Sequence, residues 1–226
     1  MSSENNQLRS PITVILGHVD SGKTSLLDKV RGTAVQAREA GGITQHIGAS
    51  FFPLETIKSI CGPLMQSMKA EIELPGLLIV DTPGHAAFMN LRQRGASVAD
   101  FAILVIDVRR GVQPQTIESI NILRQSKVPF LIAANKIDRL PGWQAQPDTP
   151  FSISVKKQPK KALQTLDQII YEIMGDLSSF KLQCDRFDRI RDYTKNIAIV
   201  PTSAVTGEGI PELFLILMGL AQQYLR

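Results

Sequence analysis

The sequence is poor in several features that would have set it apart from an ordinary globular domain. Only two cysteines, Cys61 and Cys184, occur in 226 residues. They lie far apart and at no metal-ligand spacing, which excludes a disulfide scaffold and a cysteine metal centre. The N-terminal stretch MSSENNQLRS is polar and has no apolar h-region, so it does not read as a secretory leader. Long apolar runs are missing as well. FAILVI is far short of the roughly 20 residues that a membrane-spanning helix needs. The charge excess is only +4, compatible with approach to a polyanion such as RNA but no argument for one. There is no internal repeat. The chain reads as a soluble, cytoplasmic protein without a membrane partner, expected as a monomer. Its length allows one sizeable domain or two small ones.

What is present is a rhythm. Short, β-branched apolar runs at Ile12–Leu16, Leu77–Val80, Phe101–Ile106, Phe130–Ala134 and Ile197–Val200 read as strands buried on both faces. Helical patterns fall between and after them, at Lys23–Arg31, Ala86–Gly95, Gln115–Gln125 and Pro211–Leu225. In the last, Leu213, Leu217, Leu220 and Tyr224 recur at helical spacing, and Pro211 stands in the first turn, where its missing N–H does no harm. Alternating βα units predict an α/β fold with a mostly parallel central sheet and helices on both faces. Two stretches break the rhythm. Gly32–Ser50 reads as a long polar, Gly-rich loop. Leu140–Asn196 reads as an insertion at the domain edge, with the Pro/Gly-rich LPGWQAQPDTP and the basic KKQPKK. In it a helix carries Leu163, Leu166, Ile170 and Ile173 on one side, and Trp143 is expected as a partly buried anchor.

The chemistry lies in four motifs. GHVDSGKT, Gly17–Thr24, follows a strand and opens a helix, the context in which a phosphate loop works. Its glycines let backbone N–H groups of Val19, Asp20, Ser21, Gly22, Lys23, Thr24 and Ser25 close on phosphate oxygens, aided by the positive end of the helix. Lys23 reaches the outer phosphates and the Thr24 hydroxyl is placed to ligate Mg²⁺. That loop serves ATP and GTP alike. LLIVDTPGH then delivers Asp81 to the carboxyl edge of a strand, where open α/β sheets bind ligands and a carboxylate can hold Mg²⁺ directly or through water. Gly84 can bring its N–H to a terminal phosphate.

AANKIDR decides the base. Asn135 and Asp138 sit just past a sheet strand. Guanine offers N1–H and an exocyclic N2–H₂ side by side, and one carboxylate accepts both. Adenine would leave the Asp138 carboxylate unpaired, the strongest form of rejection a hydrogen-bonding site has. The Lys136 stem can cover the ring, and the loop Ser203, Ala204, Val205 can present a backbone N–H to guanine O6. Alone, NKID could be a solvated turn. With the other motifs in this order it points to GTP and GDP as ligands.

These motifs identify the chain as similar to the P-loop GTPases and, within them, the translational GTPases. GHVDSGKT with DTPGH resembles that branch, as does GGIT at Gly41–Thr44. Stretches such as AREAGGITQHIGAS, DTPGHAAFMNLRQRGASVADFAILVIDV, ANKIDRLPGW and VPTSAVTGEGIPEL resemble the G domain of the initiation factor five-B group of archaea and eukaryotes, the counterpart of bacterial initiation factor two. The resemblance covers most of the chain but little of 144–196 or the first ten residues, which read as a polar tail before a G domain at 11–226. Many translational GTPases have His where this loop has Ser21; the five-B group tolerates small residues there.

The resemblance implies further roles. Thr44 is expected to ligate Mg²⁺ only when the γ-phosphate is present, and His85 to orient the attacking water. Val19 and Ile43 form the apolar pair that holds His85 away until activation. Asp20, with the Gly42 carbonyl, is expected to bind K⁺ or Na⁺ beside the phosphates and so to share in catalysis with His85 and Lys23. Each has a plainer alternative: Asp20 as a solvated loop carboxylate, Val19 and Ile43 as packing residues, and Lys156, Lys157, Lys160 and Lys161 as a solvated face rather than a ribosomal RNA contact. No arginine finger is identifiable, which predicts slow GTP hydrolysis alone and stimulation by the ribosome. Initiator tRNA is expected to engage downstream domains that are missing here, with this chain an excised G domain. Two other functions stay open, a GTP-binding scaffold that never hydrolyses its ligand and an elongation-type factor.

Overall fold

A computed structural model describes residues 9–36, 44–46, 48–68, 72–81 and 99–225. The strands run β1 (Ile12–Gly17), β2 (Thr44–His46), β3 (Ala49–Pro53), β4 (Gly76–Asp81), β5 (Phe101–Asp107), β6 (Phe130–Asn135), β7 (Cys184–Arg186) and β8 (Ile197–Thr202). The helices are α1 (Lys23–Gln36), α2 (Leu54–Met68), α3 (Pro114–Ser126), the short α4 (Phe151–Ser154), α5 (Lys160–Ser178) and α6 (Ile210–Leu225). Among the described residues the strands form one sheet in the order β2-β3-β4-β1-β5-β6-β8-β7. It is parallel from β4 to β7 and antiparallel where β2 and β3 join.

Period-two alternation sorts each strand into two cores. Ile15, Phe101, Ile103, Val105, Leu131 and Ala133 face one way, onto α1, α2 and α6. Val14, Leu16, Ala102, Leu104, Ile106, Ile132 and Ala134 face the other way, onto α3 and α5. Because both faces are covered, β5 is buried along its whole length, and its sequence is a continuous apolar run. Register brings the strand ends to one rim. Gly17 lies opposite Val105, Asp107 opposite Asn135, and Asn135 opposite Thr202. That rim collects the site.

Several expectations need correction. The predicted loop at 32–50 is shorter, because α1 continues through Gly32 to Gln36 and strands occupy 44–46 and 49–53; one interior glycine costs a helix only about 1 kcal/mol. The sequence reading leaves 51–76 unassigned, yet α2 spans most of it, burying Ile57, Ile60 and Cys61 at helical spacing. In α5 the buried face holds Leu166, Ile170 and Ile173 as predicted and extends to Ala162 and Leu177, while Leu163 is only half-buried. In α6 Leu213 and Leu217 are buried with Phe214, Met218 and Ala221, but Tyr224 is 61% exposed and only sets its ring edge against Phe101. The 140–196 stretch supplies both an edge strand, β7, and the core helix α5. The predicted helix at 86–95 lies outside the described residues.

Candidate functional site

The phosphate loop is built by two glycines under constraint. Gly17 ends β1 at φ +138°, and a Cβ there would stand 2.3 Å from the Val105 carbonyl. Gly22 is left-handed at φ +93°, and its Cβ would stand 2.5 Å from Asn135 Nδ2. No other residue fits either place without displacing backbone or Asn135. Between them the loop winds on the His18 carbonyl, which accepts Ser21 N–H at 3.1 Å, Ser21 Oγ at 2.8 Å and Lys23 Nζ at 2.7 Å. Lys23 Nζ also donates to the Gly17 carbonyl at 2.8 Å, so its ammonium lies on the loop. The small Ser21 is fully buried. Thr24 and Ser25 are exposed in the first turn of α1, where backbone N–H groups have no intrahelical acceptor. This is a cradle that an anion can enter. Val19, 71% exposed, stands at its lip, its N–H donating to Gln115 Oε1 at 3.2 Å.

The base side is tied to the phosphate side by Asn135. Its side chain is fully buried; Nδ2 donates to the Ser21 carbonyl at 2.9 Å, and Oδ1 accepts Ala204 N–H at 3.0 Å. Each end has one partner within the protein, so Asn135 aligns the two loops and keeps a second N–H and a second lone pair. Asp138 is the residue expected to read the base. Its side chain is about 10% exposed, Oδ1 accepts Ser203 Oγ at 2.6 Å, and Oδ2 lies 3.3 Å from Arg139 Nε. An ionised carboxylate has about four acceptor sites, so capacity remains for two adjacent N–H groups of a base. Ser203 Oγ accepts the N–H groups of Val205 and Thr206 at 3.2 and 3.0 Å, shaping the Ser203–Val205 turn.

Lys136 departs from β6 in the left-handed region at φ 72°. Its Nζ donates to the Asp20 carbonyl at 2.5 Å and to Asp107 Oδ2 at 2.8 Å. Burial alone would raise the Asp107 pKa. Hydrogen bonds from the Arg109 and Lys136 side chains and the Arg109 backbone, with the Lys136 charge, outweigh it and hold the carboxyl below its usual range. The Asp20 carboxylate, expected to face a monovalent cation, meets Arg110 Nη1 at 3.1 Å with both side chains about half exposed; such a pair is weak in water and can exchange.

A brace behind the base loop went unread in the sequence. Glu208, fully buried, accepts Trp143 Nε1 at 3.2 Å, Thr206 Oγ1 at 2.6 Å and the Ser154 hydroxyl. Trp143 is buried and stacks on Phe151 at 6.4 Å between centroids. Glu212 caps α4 by accepting Phe151 N–H at 3.0 Å and Ser152 N–H at 2.9 Å. Asp148 N–H donates to the Thr206 carbonyl at 2.7 Å. Thus LPGWQAQPDTP clamps residues 203–208. Nearby, burial and then the Glu212 charge push the Cys61 thiol up to about 12, making it inert.

Thr44 and Asp81 are described in backbone only, Thr44 opening β2 and Asp81 ending β4 beside Ile15. Gly42, Ile43, Gly84 and His85 lie outside the described residues. Among the described residues no cluster of three His, Cys, Asp or Glu side chains could hold a metal ion. Among the described side chains, the Thr24 hydroxyl is the donor that would meet a Mg²⁺ beside the phosphates, with nucleotide oxygens and water completing its shell. No helix among them is long and apolar enough to cross a membrane.

Comparison with known proteins agrees with this fold. The family model described as the elongation factor Tu GTP binding domain matches residues 8–223. A probable translation initiation factor IF-2 of Methanopyrus kandleri is 59% identical over 225 residues, covering 100% of this chain and 38% of that protein. One from Thermofilum pendens is 58% identical over 219 residues, 97% of this chain and 36% of its own. The chain therefore spans little more than a third of the length of these curated relatives. The crystal structure of GDP-bound aIF5B from Aeropyrum pernix superposes with a TM-score of 0.91 at 56% identity, covering 96% of this chain and 36% of that one. The elongation factor SelB of Methanococcus maripaludis, in its apo form, matches at TM-score 0.55 and 21% identity, 96% of this chain and 34% of that one, a likeness of fold alone.

Proposed function

We propose a function from one firm premise: the chain belongs to the elongation factor Tu GTP-binding-domain family. It acts as the GTP-binding and GTP-hydrolysing domain of a translation initiation factor, a GTP/GDP switch that promotes joining of ribosomal subunits around initiator tRNA. The observation that carries the reading is the Asn135 amide. It joins the phosphate loop at Ser21 to the base loop at Ala204, beside a carboxylate, Asp138, with acceptor capacity to spare. The names of the relatives favour initiation over elongation, since matches above 50% identity carry the initiation-factor name and the elongation factor matches at 21%.

In this reading the loop amides and Lys23 offset charge on the β- and γ-phosphates, and Thr24 holds Mg²⁺ with Thr44 and Asp81, directly or through water. The ion, when bound, neutralises charge developing on phosphate oxygens. Thr44 and the Gly84 N–H sense the γ-phosphate, so their loops order with GTP and relax with GDP. His85 places the water, with Val19 and Ile43 restraining it. Asp20 exchanges Arg110 for K⁺ or Na⁺, with the Gly42 carbonyl as second ligand. The ribosome is the activating partner, reached in the cytoplasm by a monomeric factor whose further domains hold the tRNA.

The test is single-turnover GTP hydrolysis with and without ribosomes, in the chain and in His85→Ala. Slow turnover alone, ribosome stimulation within the full-length factor, and loss of that stimulation in His85→Ala with GTP still bound are expected. Equal activity of both proteins would favour the scaffold reading, and turnover of the isolated chain at tens per second would contradict the requirement for a partner.

A further inference from the structure

We infer that Asp107 is a positioning residue for guanine-nucleotide binding, fixing the Lys136 ammonium so that the lysine stem stands ready over the purine; this rests on the guanine reading above. Asp107 belongs to none of the four motifs. It ends β5 in register with Asn135 and is 4% exposed. Its Oδ1 accepts the Arg109 backbone N–H at 2.9 Å and Arg109 Nε at 3.2 Å. Its Oδ2 accepts Arg109 Nη2 at 3.0 Å and Lys136 Nζ at 2.8 Å. Four donors meet the about four acceptor sites of a carboxylate. Asp107 therefore has no acceptor to offer a base, a phosphate or a metal ion, and acts through its neighbours.

Lys136 shows what that action is. Its backbone sits in a region that side-chain-bearing residues avoid, and its ammonium is pinned between Asp107 and the Asp20 carbonyl of the phosphate loop. The four methylenes between those fixed ends cross the loop at Gly22, where a Cβ would lie 3.5 Å from Lys136 Cε. A lysine stem loses much rotamer freedom when a ligand orders it. Here Asp107 has ordered it before any base arrives, which favours binding by preorganisation. The stem's contact is apolar and blind both to the base edge and to the number of phosphates. Asp107 should therefore support GDP and GTP alike and leave base selection to Asp138.

The experiment follows release of a fluorescent ribose-labelled GDP, with Mg²⁺, from the wild type, Asp107→Asn, Lys136→Met and the double variant. Asp107→Asn is expected to release it about tenfold faster, since one partner of a buried charge pair is lost while Arg109 still satisfies part of the site. The labelled GTP analogue should be affected by the same factor. The preference for GDP over XDP should not change, and Asp107→Asn should add nothing in the Lys136→Met background. A general loosening of the fold would instead be additive with Lys136→Met. Additive effects, wild-type release from Asp107→Asn, or a changed base preference would overturn the assignment. Should Asp107→Asn fail to fold, Asp107→Glu is read in the same cycle. Release about threefold faster that vanishes in the Lys136→Met background supports the role, and an unchanged or additive rate overturns it. If the wild type binds no GDP, the guanine reading itself fails; if it binds and the cycle is additive, only the role of Asp107 does.

Discussion

The two halves of the site are made by different means. The phosphate side is backbone: two glycines in positions closed to other residues, one carbonyl that gathers three donors, and the start of α1. The base side is side chain: Asp138 held by Ser203, Asn135 spanning the gap, and a buried brace of Trp143, Glu208 and Ser154 behind the turn. The contrast follows from the ligands. Phosphates present many equivalent acceptors that any row of N–H groups can meet, whereas one purine edge must be told from another by a placed carboxylate.

If the division is sound, the phosphate side should fail by backbone strain. Gly17→Ala would force a Cβ to within 2.3 Å of the Val105 carbonyl. Strain of roughly 3 kcal/mol or more should lower the melting temperature by about 6–12 °C and remove detectable GDP binding in titration calorimetry. Retention of wild-type melting would mean that the loop is softer than its geometry.

Asn135→Ala attacks the join between the halves. It strands the Ser21 carbonyl and the Ala204 N–H, each worth about 1–3 kcal/mol when buried unsatisfied. GDP affinity should fall about 100-fold. Asn135→Asp sharpens the comparison, because it keeps an acceptor for Ala204 but repels the Ser21 carbonyl; its loss should come from the phosphate side, seen as weakened discrimination between GDP and GMP.

Trp143→Phe tests the brace alone. It keeps the stacking on Phe151 but removes the indole donor to Glu208, at a cost of about 1 kcal/mol, so GDP should bind a few-fold more weakly with the phosphate loop unaltered. Since Trp143 is the one tryptophan of the chain, its wild-type fluorescence should shift when nucleotide binds. An unresponsive tryptophan would separate the brace from the site.

The smallest effect is on pH. The folded Asp107 carboxyl is held below its usual pKa, so it favours folding at neutral pH, and that contribution is lost as pH falls from the ordinary carboxylate range through the lowered folded value. Wild-type stability in acid titrations monitored by circular dichroism should fall more steeply there than that of Asp107→Asn. Identical profiles would place Asp107 outside the charge network.

What was legible in the sequence follows the same division. A backbone cradle demands glycines at fixed spacing, and Gly17 and Gly22 print that demand directly. The central strands were equally plain because burial on both faces leaves β5 no polar position before Asp107. Asp138 was legible because its neighbours in the chain form a motif. The brace was not, since Trp143, Ser154 and Glu208 meet only after folding and each is ordinary where it stands. Asp107 could have been found: the logic that put Asp81 at a strand's carboxyl end applies to it equally. In the 140–196 stretch, the Pro/Gly-rich opening concealed how much of the rest belongs to the core.

The claim on which all of this depends is that Asp138 reads guanine by its paired N–H groups. The most direct measurement is the binding of GTP and XTP to the wild type and to Asp138→Asn. An amide offers a donor where xanthine has a carbonyl, so the wild type should prefer GTP strongly and the variant XTP by a comparable margin. A variant that still favours GTP, or a wild type indifferent to the two, would contradict the account.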